Sequence, residues 1–200
     1  MRNLEILYLI IFALLIGCNS RSEKTESINS ESEITLSEFQ KDSTEIIQWV
    51  SKFHDSLKEP KLTDSDYECY RFDFLDSFGK NRLFRIEKLS QDNFRLIVKS
   101  YDANEIKNSV SEKTIAISKE QYSEFKKHIN GSYFWNLAMI AYPTGQYLDG
   151  YGFLLEGYEP KSKEKKERHH IVAREVPYDG SFRKACYKLM EFSNIESLRH

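Results

Sequence analysis

The stretch Tyr67–Leu75, YECYRFDFL, decides the fold. Tyr70, Phe72 and Phe74 fall on every second position with Arg71 and Asp73 between them. A period of two is the signature of a strand with one face on a core. Working outward, SFGKN (77–81) turns the chain at Gly79, and RLFRIEKL (82–89) alternates again through Phe84 and Ile86. SQDN (90–93) makes the next turn before FRLIVKSY (94–101). Three such runs joined by short turns predict an antiparallel meander.

Downstream, Thr114–Ile117 reads as a further short strand, and Ser118-Lys119-Glu120-Gln121 opens a helix as a capping box. Tyr122, Phe125 and Ile129 give that helix its apolar face, Asn130-Gly131 a left-handed cap, and Phe134, Trp135 and Leu137 plugs for the core. A second hairpin comes next: YGFLLEGYE (151–159), a polar loop PKSKEKKER (160–168) and HHIVAREV (169–176). The chain closes with a helix from about Gly180, with Phe182, Ala185, Cys186, Leu189 and Phe192 on one face. Upstream, a capping box at Thr35–Glu38 starts a helix whose stripe Leu36, Phe39, Ile46, Val50, Phe53 and Leu57 runs at steps of three and four, widened by Ile47 and Trp49. Pro60 ends it. Strands clustered together, with helices at intervals, predict an α+β fold: an antiparallel sheet of about five or six strands packed with an N-terminal, a central and a C-terminal helix.

The first residues predict an address. Arg2 precedes an uncharged apolar run, Ile6–Ile16. At 1.5 Å per residue that run covers only about half of a ~30 Å hydrocarbon layer, which suits a signal-peptide core better than a permanent span. Leu15-Ile16-Gly17-Cys18 then resembles the lipobox of bacterial lipoproteins. The resemblance implies removal of residues 1–17, acylation of Cys18 (palmitate among the chains) and membrane anchoring at the cell envelope, on a membrane and face left open. Residues 18–34 are rich in Ser and Glu and read as a flexible tether; residues 35–200 read as one domain.

Composition narrows the function classes. The formal charge is −2, with signs mixed along the chain, so no basic field points to nucleic acid. Aromatics make up 14 % of residues, which suits a sheet-rich core and also a sugar-stacking surface. Cys69 and Cys186 read as two separate buried thiols, with a bridge between them as the alternative in an oxidising envelope.

Residues from about Gln146 to Phe192 resemble a group of uncharacterised bacterial α+β proteins, on Asp149, Gly150, Phe153, Glu156, Arg174 and Pro177. That group implies no activity. The residues themselves single out Glu156, a charge at the end of the apolar run FLL, which is costly to bury unless paired. A register that sets it across from Arg174 makes a cross-strand pair, with Asp149, Tyr151 and His170 nearby. Tyr147, Tyr151 and Tyr158 are candidates for an aromatic platform.

His169 and His170 point to opposite faces if extended, and no metal-ligand spacing occurs, so no metal or other cofactor is expected. Ser181–Lys184 matches S-x-x-K without the other elements of that motif.

The expected function is a non-catalytic binding or interaction module held at a membrane by its lipid. Its contact surface is Asp149, Tyr151, Glu156, Tyr158, His170 and Arg174, and its ligand a protein, peptide or glycan. Two alternatives stand beside it: an envelope hydrolase using Asp149 or Glu156 with His170, and a structural subunit docking through the stripe of the first helix.

Overall fold

The computed structural model describes residues 36–76, 80–102, 105–141, 151–175 and 180–194. The signal segment, Cys18, the tether, Tyr147, Asp149, Gly150 and Pro177 lie outside them. The chain divides into two units, Met1–Lys41 and Asp42–His200, and every strand of the sheet belongs to the second.

Among the described residues the sheet is mixed and has seven strands: β1 (Cys69–Asp76), β2 (Lys80–Lys88), β3 (Phe94–Asp102), β4 (Ser111–Ile117), β5 (Ile140–Ala141), β6 (Tyr151–Glu159) and β7 (Arg168–Glu175), in the order β4-β3-β2-β1-β6-β7-β5. The meander β1–β4 is antiparallel throughout, and β6 returns antiparallel to β1 at the centre. The expectation of five or six antiparallel strands needs two corrections. Ile140–Ala141 adds a two-residue strand, too short to show a period, and it pairs parallel to β7.

Four α-helices among the described residues accompany the sheet: α1 (Leu36–Ser56), the single turn α2 (Ile106–Ser109), α3 (Lys119–Gly131) and α4 (Gly180–Phe192). α3 starts on the predicted capping box: Ser118 Oγ accepts from the Gln121 amide, and the Gln121 side chain accepts from the Ser118 amide. Its far end differs from the expected glycine cap. Gly131 is still helical, and the left-handed residue is Tyr133, φ 53°.

One face of the sheet carries the main core. Tyr70, Phe72, Phe74, Phe84, Ile86, Leu96, Phe153, Leu155 and Val172 meet Tyr122, Phe125 and Ile129 of α3 and Phe182, Ala185, Cys186 and Leu189 of α4. The rings interlock. Phe72 stacks on Phe84 at 5.6 Å and meets Phe153 edge-on at 4.9 Å, geometries that add to the area they bury. Phe134 is fully buried there, with Trp135 and Leu137 packed beside it, as the sequence predicts.

α1 covers the opposite face. Val50, with Ile46, packs on Leu154, Ile171 and Ala173, and Leu57, with Phe53, packs on Leu83 and Tyr101. From residue 46 onward, the helical stripe is thus spent on its own sheet rather than on a partner. Ile47 and Trp49 do not widen the packed face as expected: both are exposed, and Trp49 lies flat against Phe53. Cys69 is buried on the α1 face and Cys186 in α4 over the aromatic face, so the sheet stands between the two thiols and a bridge between them is ruled out.

Candidate functional site

The face under α1 is built from the charged half of each alternating strand. β1 presents Arg71 and Asp73, β2 Arg85 and Glu87, β3 Lys99 and β6 Glu156, and all six are buried. α1 adds His54 from the middle of its apolar stripe, also buried. Just past the helix end at Ser56, Lys58 is left-handed at φ 55°, and the Glu59 amide bonds back to the His54 carbonyl at 2.9 Å. That reversal tucks the Glu59 carboxylate beneath the helix, where it lies 2.8 Å from Arg85 Nε, 2.7 Å from Lys99 Nζ and 3.6 Å from Arg71.

The charges form a continuous network. Lys99 also donates to the carbonyl of Leu57 at 2.7 Å, pinning the end of α1. Glu87 pairs with Arg85 and with the partly exposed Arg95, and accepts from Tyr67 at 3.3 Å. Arg71 donates to the Pro60 carbonyl at 2.9 Å and, through Nε and Nη2, to Glu156 Oε2. His169 Nε2 stands 2.8 Å from Glu156 Oε1. His54 Nε2 stands 2.8 Å from Asp73 Oδ2, and its Nδ1 lies 3.8 Å from Glu156 Oε2.

These partners set the state of Glu156. Burial alone would push its carboxyl up. The hydrogen bond from His169, the charge of Arg71 and the neighbouring His54 together outweigh burial and hold it at about 2.

A groove of about 240 Å³ opens between the second half of α1, the 59–63 segment and β6–β7. Ile47, Val50, Leu62 and Ile171 give it apolar walls, and His54, Arg71, Glu156 and His169 lie along its polar side. Of these four, His169 is the most open to solvent, with 35 % of its side chain exposed; His54, Arg71 and Glu156 are buried.

The predicted site residues do not gather around this groove as a set. Glu156 faces Ile171, not Arg174, and Arg174 faces Phe153. The tip explains the correction: Ser162 N–H bonds to the Lys165 carbonyl, and Ser162 Oγ accepts from the amides of Glu164 and Lys165. A turn centred between 163 and 164 fixes every pair downstream of it, Glu159 with Arg168 through Glu156 with Ile171.

Because 156 and 170 differ by this register, Glu156 points to the α1 face and His170 to the aromatic face. There His170 sits edge-on to Phe134, and its Nε2 is 2.9 Å from the Leu137 carbonyl. Burial holds the His170 imidazole below its ordinary value, against the opposing pull of that hydrogen bond. The pairing of Glu156 with His170 as acid and base is therefore overturned.

Arg174 instead donates to the carbonyls of Ala138 and Met139, stapling the segment that becomes β5. Tyr151 stacks with Phe74 on the aromatic face, and Tyr158 is buried with Leu62 and Cys69 on the other. The tyrosine platform is thereby divided by the sheet.

Sequence reasoning passed over His54, Arg71 and Asp73, and placed His169 only as the neighbour of His170. One signal pointed to them. A helix of 21 residues with an apolar stripe needs a face to cover. With the aromatic face assigned to two other helices, the alternating Arg71/Asp73 face was what remained.

Among the described residues no group of three or more His, Cys, Asp or Glu is arranged to hold a metal ion, and no helix is long and apolar enough to cross a membrane. No protein-family model matches the chain, and no curated protein or solved structure does.

Proposed function

We propose that this chain is a lipid-anchored protein of a bacterial cell envelope that acts as a non-catalytic binding module, with the groove beside α1 as its contact site. The address rests on Leu15–Cys18 and the polar tether after it. The binding reading rests on one observation above all: both oxygens of Glu156 are taken, by Arg71 and His169, and its carboxyl is held at about 2. A general acid or base works best with a value near the operating pH, and a carboxyl held at about 2 has no proton to give and draws one only weakly. What such a network provides is a fixed, pre-shaped wall for an apolar groove, and that supports recognition.

Growth in radiolabelled palmitate tests the address. The label enters the wild-type chain and fails to enter Cys18→Ser, which no longer fractionates with membranes; an unlabelled wild type, or a Cys18→Ser form that matures and fractionates normally, overturns it. A photo-crosslinking residue at Thr63, on the groove, tests the contact site in intact cells against the same residue at exposed Lys184 of α4. A discrete adduct from position 63 alone supports the groove. The same products from both positions, or none from either, reject it.

A further inference from the structure

The aromatic face of the sheet ends in a charged row. The Lys88 amide bonds to the Glu68 carbonyl at 2.9 Å, and Lys88 pairs with Phe94, so Glu68, Lys88 and Phe94 lie side by side across the strand ends. Two residues on from Ile86, Lys88 takes the same face, the one that α3 covers. Over this row α3 sets one stripe of its surface: Lys119, Tyr122, Ser123, Lys126, Lys127 and Asn130. Phe94 and Tyr122 stack at 4.5 Å and join row to helix. The rest of the space between them is a second groove of about 690 Å³, within the ~300–1,000 Å³ of small-molecule sites.

Its lining carries four lysines against one acid, Glu68, in a chain whose formal charge is −2. Two of the four are neutralised. Lys119 Nζ lies 2.7 Å from Asp92, and Lys126 bonds Glu68, the Tyr70 hydroxyl and, at 3.1 Å, Glu159. Glu159 also holds Arg168, so Lys126 and Arg168 together balance Glu68 and Glu159. Lys88 and Lys127 have no carboxylate within ion-pair distance among the described residues. The acid one turn before Lys127, Glu124, is taken by Lys188 at 2.8 Å. Lys88 is half-buried between its row neighbours, which holds its ammonium to the helix side of the sheet. Two spare positive charges thus enter the groove from opposite walls. The side chains of Ser123 and Asn130, on the same helical stripe, bond nothing among the described residues and add neutral donors.

From this we propose that the second groove binds a phosphomonoester, either a small soluble one or a lipid headgroup. Such a group carries a charge of about −1.5 to −2 at pH 7 and three acceptor oxygens, which matches two unpaired ammoniums and a hydroxyl. Lys88 and Lys127 take the charge, and Ser123 donates to a remaining oxygen. A single carboxylate or a sulfate monoester leaves one cation unmatched, and a dicarboxylate splits its charge between separate groups. This site lies on the face of the sheet opposite the groove beside α1, so it stands or falls independently of that groove.

The test is a titration of the full-length chain in nonionic detergent with glycerol 3-phosphate, read by the ³¹P resonance of the ester, with methyl sulfate and succinate as competitors. The expected result is a saturable shift that each competitor displaces with an affinity about tenfold weaker or worse. Lys88→Gln and Lys127→Gln each raise the Kd about fivefold or more, while Lys184→Gln, exposed on α4 and outside the groove, leaves it unchanged. No saturable shift, a shift that survives in the Lys88→Gln/Lys127→Gln double variant, or equal competition by methyl sulfate or succinate overturns the assignment. Nanodiscs then separate the two sources. If phosphatidic acid added to phosphatidylcholine discs abolishes the glycerol 3-phosphate response, the groove takes a lipid headgroup; a response that persists assigns it a soluble ester.

Discussion

The two faces of this sheet are made by the same strands and held by opposite means. On the aromatic face, side chains without charge bury themselves against α3 and α4, and each square ångström removed from water contributes on the order of 25 cal/mol. On the α1 face, Arg71, Asp73, Arg85, Glu87, Lys99 and Glu156 are buried as ions beside Leu83, Tyr101 and Leu154, and their mutual attraction must first repay their desolvation. A buried apolar ring is stabilising by itself; a buried ion is tolerable only in company. The aromatic face therefore carries the stability, while the charged face fixes where α1, Glu59 and the groove walls stand.

The comparison breaks most directly by deletion. Phe72→Ala empties the centre of the ring cluster and should cost about 3–5 kcal/mol in urea or thermal unfolding. Arg71→Met should cost a similar ~3–5 kcal/mol, because it leaves Glu156 buried beside His54 and His169 without its guanidinium. The faces then part company. Adding Glu156→Met to Arg71→Met should return at least half of that loss, since the orphaned charge goes too, whereas on the aromatic face nothing is returned by a further truncation. A double variant as damaged as the sum of its singles would mean that the α1 face is held by shape and not by charge balance.

Acid separates the faces next. The Glu156 carboxyl is depressed in the folded chain, from 4.5 to about 2. An unfolded chain therefore takes up this proton first, so the contribution is fully present above about pH 4.5 and is lost as the pH falls through about 2. Its size is roughly 3 kcal/mol at neutral pH. Unfolding midpoints measured from pH 7 to pH 2 should fall for the wild type, and more gently for Glu156→Gln from a lower start. Phe72→Ala should lower the whole curve without changing its slope.

This division also accounts for what was legible in the sequence. Period two in YECYRFDFL and RLFRIEKL located the strands and their aromatic face, because a core selects apolar residues on one side. The same period is blind to what covers the other side. Arg71, Asp73 and Arg85 read alike whether they face water or each other beneath a helix, and only α1's need for a surface tells the two apart. His54 was hidden in the same way, as one polar residue within an apolar stripe whose neighbours Val50 and Leu57 explain the helix without it. The pairing of β6 with β7 was not legible from strand lengths, since shifting the register by three residues changes little in the count of loop residues. It was written in the tip instead, where Ser162 turns the chain. Parallel β5 lies beyond any pattern, as two residues carry no period.

Adjacent residues of β6 allow the finest comparison. Glu156 points to the charged face and Gly157 to the aromatic one, opposite Tyr70 of β1 and His170 of β7. A Cβ at Gly157 would stand 2.7 Å from Phe134 Cε1 and 2.8 Å from Tyr70 Cε1, closer than such atoms approach, and both rings are fully buried. The glycine is required by the space the rings occupy. Gly157→Ala should therefore cost about 1–3 kcal/mol through overpacking, seen as a lower Tm. The Tyr70 ring has to give way, and its hydroxyl, 3.0 Å from Glu68 and 3.2 Å from Glu159, moves with it. Near-UV circular dichroism should report that displacement as a changed tyrosine signal. The acid limb set by Glu156 should stay where it is in the wild type, because the strand backbone separates the two faces. If that limb moves together with the tyrosine signal, strain passes through β6, and the groove beside α1 feels the packing of the core behind it.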